Sequence, residues 1–483
     1  MEHMRKSIMQ VLTVCTETNP QIPDRVVTTE EYSGTCFRVD STLFPFGDKI
    51  LFLTNFHVCD NSDNRKVHLR TAAMGKSALS GFVEAVVPQL DCAVISISPY
   101  HDRWFIDEAP ASWISRIQVA PLRTTRIDTK SLKVSTVGFP QGLEEQLSSG
   151  WLAGRGNGSD DMDMLQLNIS INSGNSGGPV FDQSGDVIGI CTSTLNESEA
   201  IAFAVPIYSV LAYFQKFYSE PFGRFPEWGL TLIPMTDAHL VEHGVTREGA
   251  VVAHIADGSP AKKVLKKGDV LHSIVSGNFC AELDSFGLIS DSTRGAKITM
   301  HNTELILQLT PGDVQLHVTR RRSACVLACT PAVINYKVVE NFKEWNPVEH
   351  EHFGPLVLQT LSKTLLMAED CVPTCATVYI LQRLRQTDCM KEMVIISYVT
   401  PGSYISNMEV PLEFALVRKI GRTAVRDMAH CKALLADVTH RWRTGLQQRV
   451  CLTTNAGAIW LTLDKMLDKM LDTRAASCKR KHT

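Results

Sequence analysis

Asn172-Ser173-Gly174-Asn175-Ser176-Gly177-Gly178-Pro179 follows the apolar run Leu165 to Ile171 and precedes Asp186-Val187-Ile188-Gly189-Ile190. A glycine-rich turn between two strand-like runs lets the backbone take conformations closed to other residues, so consecutive N–H groups can converge on one point. The amides of Gly174, Asn175 and Ser176 become candidates for stabilising a developing oxyanion. Ser176 is left exposed on the turn. A hydroxyl is a weak nucleophile at neutral pH, so this reading obliges the chain to supply a base and a group that orients it.

Both are present upstream. Thr54-Asn55-Phe56-His57-Val58 follows the strand-like Ile50 to Leu53, and Asp91-Cys92-Ala93-Val94 opens another apolar run. The order His57, Asp91, Ser176 is that of the chymotrypsin arrangement, whereas subtilisins run acid, base, nucleophile and α/β-hydrolases run nucleophile, acid, base. Around these residues lie short runs rich in Val, Ile, Thr and Phe: Gly34 to Val39, Val83 to Val87, Ala93 to Ser98, Leu132 to Gly138, Val187 to Thr192 and Ile201 to Val205. Their spacing predicts an all-β barrel or sandwich. Ile8 to Cys15 reads as a further strand. From Pro206 to Tyr218 the period changes, with Ile207, Val210, Leu211 and Phe214 on one helical face.

These motifs resemble the HtrA/Deg serine proteases, and the branch with Val83-Glu84-Ala85-Val86 and Val137-Gly138-Phe139-Pro140-Gln141-Gly142 looks most like plant-type Deg proteases with two PDZ domains. Ala202-Phe203-Ala204-Val205-Pro206 adds to the likeness, which covers most of residues 8 to 215. The chain departs from the family's usual glycine-serine-glycine-phenylalanine at Ser33-Gly34-Thr35-Cys36-Phe37, and Cys191 stands where many relatives have asparagine. The resemblance implies a mainly β fold: a chymotrypsin-like double β-barrel over residues 1–218, a linker at 219–227, a PDZ domain at 228–335 and a degenerate second PDZ-like domain at 336–483 with a basic tail. It further implies a cofactor-free, ATP-independent serine endopeptidase in protein quality control, in which Ser176 attacks, His57 moves the proton and Asp91 orients His57. Partners would be unfolded or C-terminally tagged polypeptides, and the protein would form a homo-oligomer, a trimer or a multiple of one.

The PDZ-like motifs are Glu248-Gly249-Ala250-Val251-Val252, Gly258-Ser259-Pro260-Ala261 and Leu265-Lys266-Lys267-Gly268-Asp269-Val270-Leu271. By the same resemblance, Trp228-Gly229-Leu230 is the loop that receives a peptide carboxylate. Strands are expected at Ala250 to Ile255, Asp269 to Ile274 and Val314 to Arg320, with a helix near Thr303 to Leu309. Farther on, strands at Val394 to Tyr398 and Arg449 to Leu452 flank a helical stretch near Val425 to Val438, and Asp464 to Asp472 reads as an amphipathic helix.

The side-chain pocket is read from its charges. Trypsin-like enzymes carry an acid six residues before the serine, here Ser170, and neither Asn168 to Asn172 nor Ile190 to Thr194 holds a carboxylate. Cleavage after Lys or Arg is disfavoured, and Asn172, Ile190 and Thr192 are expected near a pocket for small or medium aliphatic residues.

The 483 residues, 44% hydrophobic and 20% charged, suit two to four ordinary domains. A net charge of -3 offers no general attraction to nucleic acid, and no apolar run reaches membrane-spanning length. Fourteen scattered cysteines and the lack of an export signal point to an intracellular, cytosolic or nuclear compartment. No metal site is expected: Cys325 with Cys329, and Cys371 with Cys375, lack zinc spacing, Cys59 is read as a packed thiol, and His350 and His352, which would share a strand face, are read as an exposed polar loop. A non-catalytic PDZ scaffold or chaperone on a protease shell is the competing reading. Secreted trypsin-like digestion lacks an export signal, an activation segment and an acidic pocket.

Overall fold

The computed structural model describes the chain apart from residues 1, 61, 76, 98–110, 128–130, 141–144, 158–161, 173, 195–200, 237, 239–247, 292–294, 335–344, 346, 368–391, 409–411 and 465–483. Cys371, Cys375, the Asp464 to Asp472 repeat and the basic tail therefore lie wholly or largely outside the described residues. Among those described, no helix is long and apolar enough to cross a membrane. By contacts the chain divides into two units, residues 1–15 with 30–334 and residues 16–29 with 335–483.

In the first unit β1 (Ile8–Asn19), β2 (Ile22–Val39), β3 (Leu51–Thr54), β4 (Lys66–Arg70), β5 (Leu79–Val87) and β6 (Cys92–Ile97) close a barrel in the order β1-β2-β3-β6-β5-β4. The alternation of β5 sends Leu79, Gly81, Val83 and Ala85 inward, the period that a half-buried strand requires. A second barrel, β7 (Lys133–Gly138), β8 (Gln146–Asn157), β9 (Asp163–Asn168), β10 (Pro179–Phe181), β11 (Val187–Thr194) and β12 (Ala202–Pro206), closes in the order β10-β11-β12-β9-β8-β7. The chain thus is mainly β, as the strand spacing predicts, with the double-barrel architecture that the resemblance implies. The one-turn helix α1 (Phe56–Cys59) follows β3, and α2 (Ile207–Lys216) follows β12. Helix α2 buries Ile207, Val210, Leu211 and Phe214 as its periodicity requires, with Ser209 and Tyr213 added. Each large side chain so buried contributes roughly 2 kcal/mol.

Residues 219–227 are irregular, as Pro221, Gly223 and Pro226 dictate, but they are bonded to the first barrel. Val86 N donates to Pro221 O at 2.8 Å and Gly223 N to Val86 O at 2.7 Å. Beyond them β13 (Leu230–Ile233), β14 (Ala250–Ile255), β15 (Val270–Ser276), β16 (Phe279–Glu282), β19 (Gln315–Arg320) and β20 (Ser323–Ala328) form one antiparallel sheet with β13 at its edge, while β17 (Leu288–Asp291) and β18 (Ala296–Thr299) form a separate ribbon. Helix α3 (Thr303–Gln308), capped by the Asn302 side chain, meets the second barrel through buried charges. Arg155 lies 2.7 Å from Asp163 and 3.0 Å from Glu304, Arg126 pairs with Glu304, and Tyr208 donates to Asp163 at 3.0 Å.

The second unit holds β21 (His350–Phe353), β22 (Leu356–Thr360) and β23 (Val394–Val399) in one sheet. A second sheet, from β24 (Val417–Ile420), β25 (Thr423–Ala424), β26 (Arg449–Thr454) and β27 (Gly457–Thr462), accompanies helix α4 (Met428–Arg443). Leu358, Ile396, Leu452, Met428 and Leu435 share its core. His350 and His352 lie in β21 rather than in a loop, which corrects the sequence reading. The tip of the β1–β2 hairpin, residues 16–29, belongs to this unit.

Candidate functional site

Asp91 anchors the site. It follows the 3-10 turn Pro88–Leu90 in a left-handed conformation, φ 43° and ψ 46°, which aspartate tolerates better than most residues. Its N–H donates to Pro88 O at 3.0 Å and Asn55 Nδ2 donates to its carbonyl at 2.9 Å. With its backbone fixed, the carboxylate accepts the His57 N–H at 3.0 Å and faces His57 Nδ1 at 2.9 and 3.0 Å. Donation from Nδ1 assigns the tautomer that leaves Nε2 as the acceptor.

Burial opposes a charge on His57, but the hydrogen bond and charge of Asp91, with Asp60 adding, outweigh it and hold the imidazole pKa above its ordinary value. The His57 side chain is 46% exposed, so solvent reaches it.

Thr192 completes the carboxylate's shell, its Oγ1 donating to Asp91 Oδ2. The β11–β12 register slips between Cys191 and Ser193, leaving Thr192 as the extra residue of a bulge. Such a bulge re-aims a side chain and frees a carbonyl from the ladder. That carbonyl accepts the Ser176 hydroxyl at 3.1 Å. Among the described residues the Ser176 hydroxyl is hydrogen-bonded to Thr192 and not to His57.

The turn carrying Ser176 is braced from the first barrel by Thr35. Its N–H donates to Ser176 O at 2.8 Å, its Oγ1 donates to Gly174 O at 2.7 Å, and it accepts the Phe139 N–H at 3.1 Å. Gly174 and Gly177 have φ of 100° and 84°, and a Cβ on Gly177 would overlap Thr35 O and Thr54 Oγ1. Of the three amides named for an oxyanion, that of Asn175 is committed to Asn172 O at 3.0 Å. This removes Asn175 from the set of donors and leaves Gly174 and Ser176.

The residues expected near the pocket separate. Ile190 is fully buried in the barrel core and the Thr192 hydroxyl is engaged by Asp91, so only Asn172 presents an exposed side chain. The Trp228 indole is also fully buried, donating to Cys329 O at 2.8 Å, and the Leu230 carbonyl accepts from His301 Nε2 at 3.3 Å. Gly229, with φ of 71°, accepts Ala256 N–H at 2.8 Å. Trp228, Gly229 and Leu230 are all buried, so none of the three presents an exposed side chain. Sequence reasoning missed the roles of Thr35, Asn55 and Thr192. Thr35 and Asn55 sit inside motifs already singled out, whereas a bulge has no sequence signature.

The ten described cysteines are free thiols. Burial pushes the Cys191 thiol up to about 12 and that of Cys59 well above its usual range, so neither is a thiolate at neutral pH.

Residues 34–190 match the trypsin-like peptidase domain family. Over 150 residues, 29% of this chain and 29% of the relative, the sequence is 35% identical to the probable periplasmic serine endoprotease DegP-like of Brucella suis. It is 28% identical over 249 residues, 49% of this chain and 38% of the relative, to protease Do-like 2, chloroplastic, of Arabidopsis thaliana. The chain thus spans well under half the length of these curated relatives. A solved variant of the HtrA-type protease AlgW with a decapeptide shares the fold at a TM-score of 0.50 and 18% identity, covering 68% of this chain and 96% of that one. The expectation of a cytosolic or nuclear compartment is corrected by these relatives, which are named periplasmic and chloroplastic. Free thiols and the absence of an export motif are weak guides to compartment.

Proposed function

Because this chain belongs to the HtrA/Deg serine proteases through a trypsin-like peptidase domain, we propose that it is a serine endopeptidase with Ser176 as nucleophile, His57 as general base and Asp91 as the group that orients it. The observation that carries this reading is the two-point grip of Asp91 on His57, through N and Nδ1 at 2.9 to 3.0 Å. That grip leaves Nε2 as the proton acceptor.

The Ser176 hydroxyl leaves the Thr192 carbonyl by rotating about χ1 and gives its proton to His57 Nε2 as Oγ attacks the scissile carbonyl. The Gly174 and Ser176 amides receive the oxyanion. The imidazolium, paired with Asp91, then protonates the departing amine. Water activated by the same histidine hydrolyses the acyl-enzyme and restores the serine. No cofactor enters these steps.

The substrates are unfolded or C-terminally tagged polypeptides, and the pocket beside Asn172 takes small or medium aliphatic residues. Residues 228–335 form a PDZ domain whose edge strand β13, behind the Trp228-Gly229-Leu230 loop, accepts a peptide terminus as an added strand. Residues 336–483 form a degenerate second PDZ-like domain. The protein works outside the cytosol, as its relatives' names, periplasmic and chloroplastic, say of them, and it assembles as a homo-oligomer. Casein proteolysis that is abolished in Ser176→Ala supports this function, and proteolysis unchanged in that variant overturns it in favour of a scaffold.

A further inference from the structure

Residues two apart on a strand project from one face, so His350 and His352 stand together on β21 with ring centroids 5.8 Å apart. The β1–β2 hairpin tip lies against the same sheet. Gln359 Nε2 donates to Pro20 O at 3.0 Å, Ser397 Oγ donates to Gln21 O at 2.7 Å, and Gln21 Nε2 donates to Ser397 O at 3.2 Å. This docking delivers Asp24 to the histidine pair from 328 positions away. His352 Nε2 lies 3.1 Å from both Asp24 oxygens, and His350 Nε2 lies 3.9 Å from Oδ1.

We propose that Asp24, His350 and His352 form a zinc site that fastens the hairpin tip to β21. The ligand atoms all lie within 4.8 Å of one another. Tetrahedral zinc with bonds of about 2.0–2.1 Å sets its ligand atoms about 3.3 Å apart, a spacing that the observed 3.1 and 3.9 Å bracket. Two imidazoles with one carboxylate suit zinc, whereas calcium and magnesium take oxygen ligands. His350 Nδ1 lies 3.3 Å from Val348 O. Donation from Nδ1 to that carbonyl leaves Nε2 as the ligand atom, the outer-shell arrangement that metal-bound histidines use.

The side chains are 54%, 26% and 40% exposed for Asp24, His350 and His352, so an ion enters from solvent and a water fills the fourth position. On binding, His352 adopts the neutral tautomer with its proton on Nδ1, which frees Nε2 and the Asp24 carboxylate to become ligands; only a histidine that was doubly protonated releases a proton to solvent. The cluster shares no residue with the proposed triad, so this inference and the peptidase reading stand or fall independently.

The test uses the full chain, stripped with EDTA and dialysed. Zn2+ is titrated in competition with a chromophoric chelator, and Co2+ is read by its visible spectrum. With fourteen cysteines in the chain, the informative quantity is the difference between wild type and Asp24→Asn, His350→Gln and His352→Gln, each checked for fold by circular dichroism. The expected result is one Zn2+ equivalent present in wild type and weakened at least about tenfold in each variant, with a Co2+ spectrum of nitrogen and oxygen ligation. Zn2+ should raise the urea midpoint of wild type and not that of Asp24→Asn. If a histidine variant fails to fold, the half-exposed Asp24→Asn decides alone. Wild type that binds no Zn2+, or Zn2+ affinity unchanged by Asp24→Asn, overturns the proposal.

Discussion

The Ser176 hydroxyl donates to the backbone carbonyl of Thr192 at 3.1 Å while the Thr192 hydroxyl donates to Asp91. One bulged residue thus holds the proposed nucleophile and orients the acid behind the proposed base. Thr192→Val keeps the volume and the carbonyl but removes the donor to Asp91. One hydrogen bond to a charged group contributes about 1.5–3 kcal/mol, so kcat/KM for a peptide substrate should fall roughly tenfold to a hundredfold with KM little changed.

The raised pKa of His57 has a defined kinetic sign. The base acts when neutral, so the acid limb of kcat/KM against pH should have its midpoint above the ordinary histidine value of about 6.5. In Asp91→Asn the hydrogen bond and charge that raise it are gone and burial remains, so the midpoint should move down. The rate at the optimum should drop by about 10⁴, as for other acids that set the histidine tautomer. A profile whose midpoint is the same in both proteins would contradict this.

Gly177 is fixed by backbone geometry, with φ of 84° and no room for a Cβ against Thr35 and Thr54. Gly177→Ala should therefore cost at least about 2 kcal/mol of stability and should uncouple Thr35 from the serine turn. Urea unfolding of the purified variant measures the first, and loss of peptidase activity in the fraction that folds measures the second.

Glu304 sits 5% exposed between Arg126 and Arg155. Removing one member of a buried charge set leaves the others uncompensated at about 3–5 kcal/mol. Glu304→Ala should lower the melting temperature of the first unit, and Glu304→Gln, which keeps the shape, should lower it less.

Much of this was legible in the sequence because turn chemistry and period-2 patterning are local. Helix α3 and strands β14 and β19 lie within a residue or so of the expected bounds. The failures are non-local. Strand β8 escaped because Gln146 to Asn157 lacks alternation, and its Gly150 is there for close approach to Asn168 O. Nothing in Cys191-Thr192-Ser193 announces the bulge that brings the Thr192 hydroxyl to Asp91. Asp24 joins His350 and His352 only through a hairpin that folds back onto a distant sheet. The expected compartment fails for a different reason: free thiols do not report the surroundings, and among the described cysteines they occur both buried and exposed.

The most direct measurement is active-site labelling of the full chain with a fluorophosphonate in the presence of unfolded casein, the adduct mapped by mass spectrometry. The account predicts one adduct, on Ser176, formed at least about a hundredfold more slowly in His57→Ala. No adduct on Ser176, or an equal rate of labelling without His57, would contradict it.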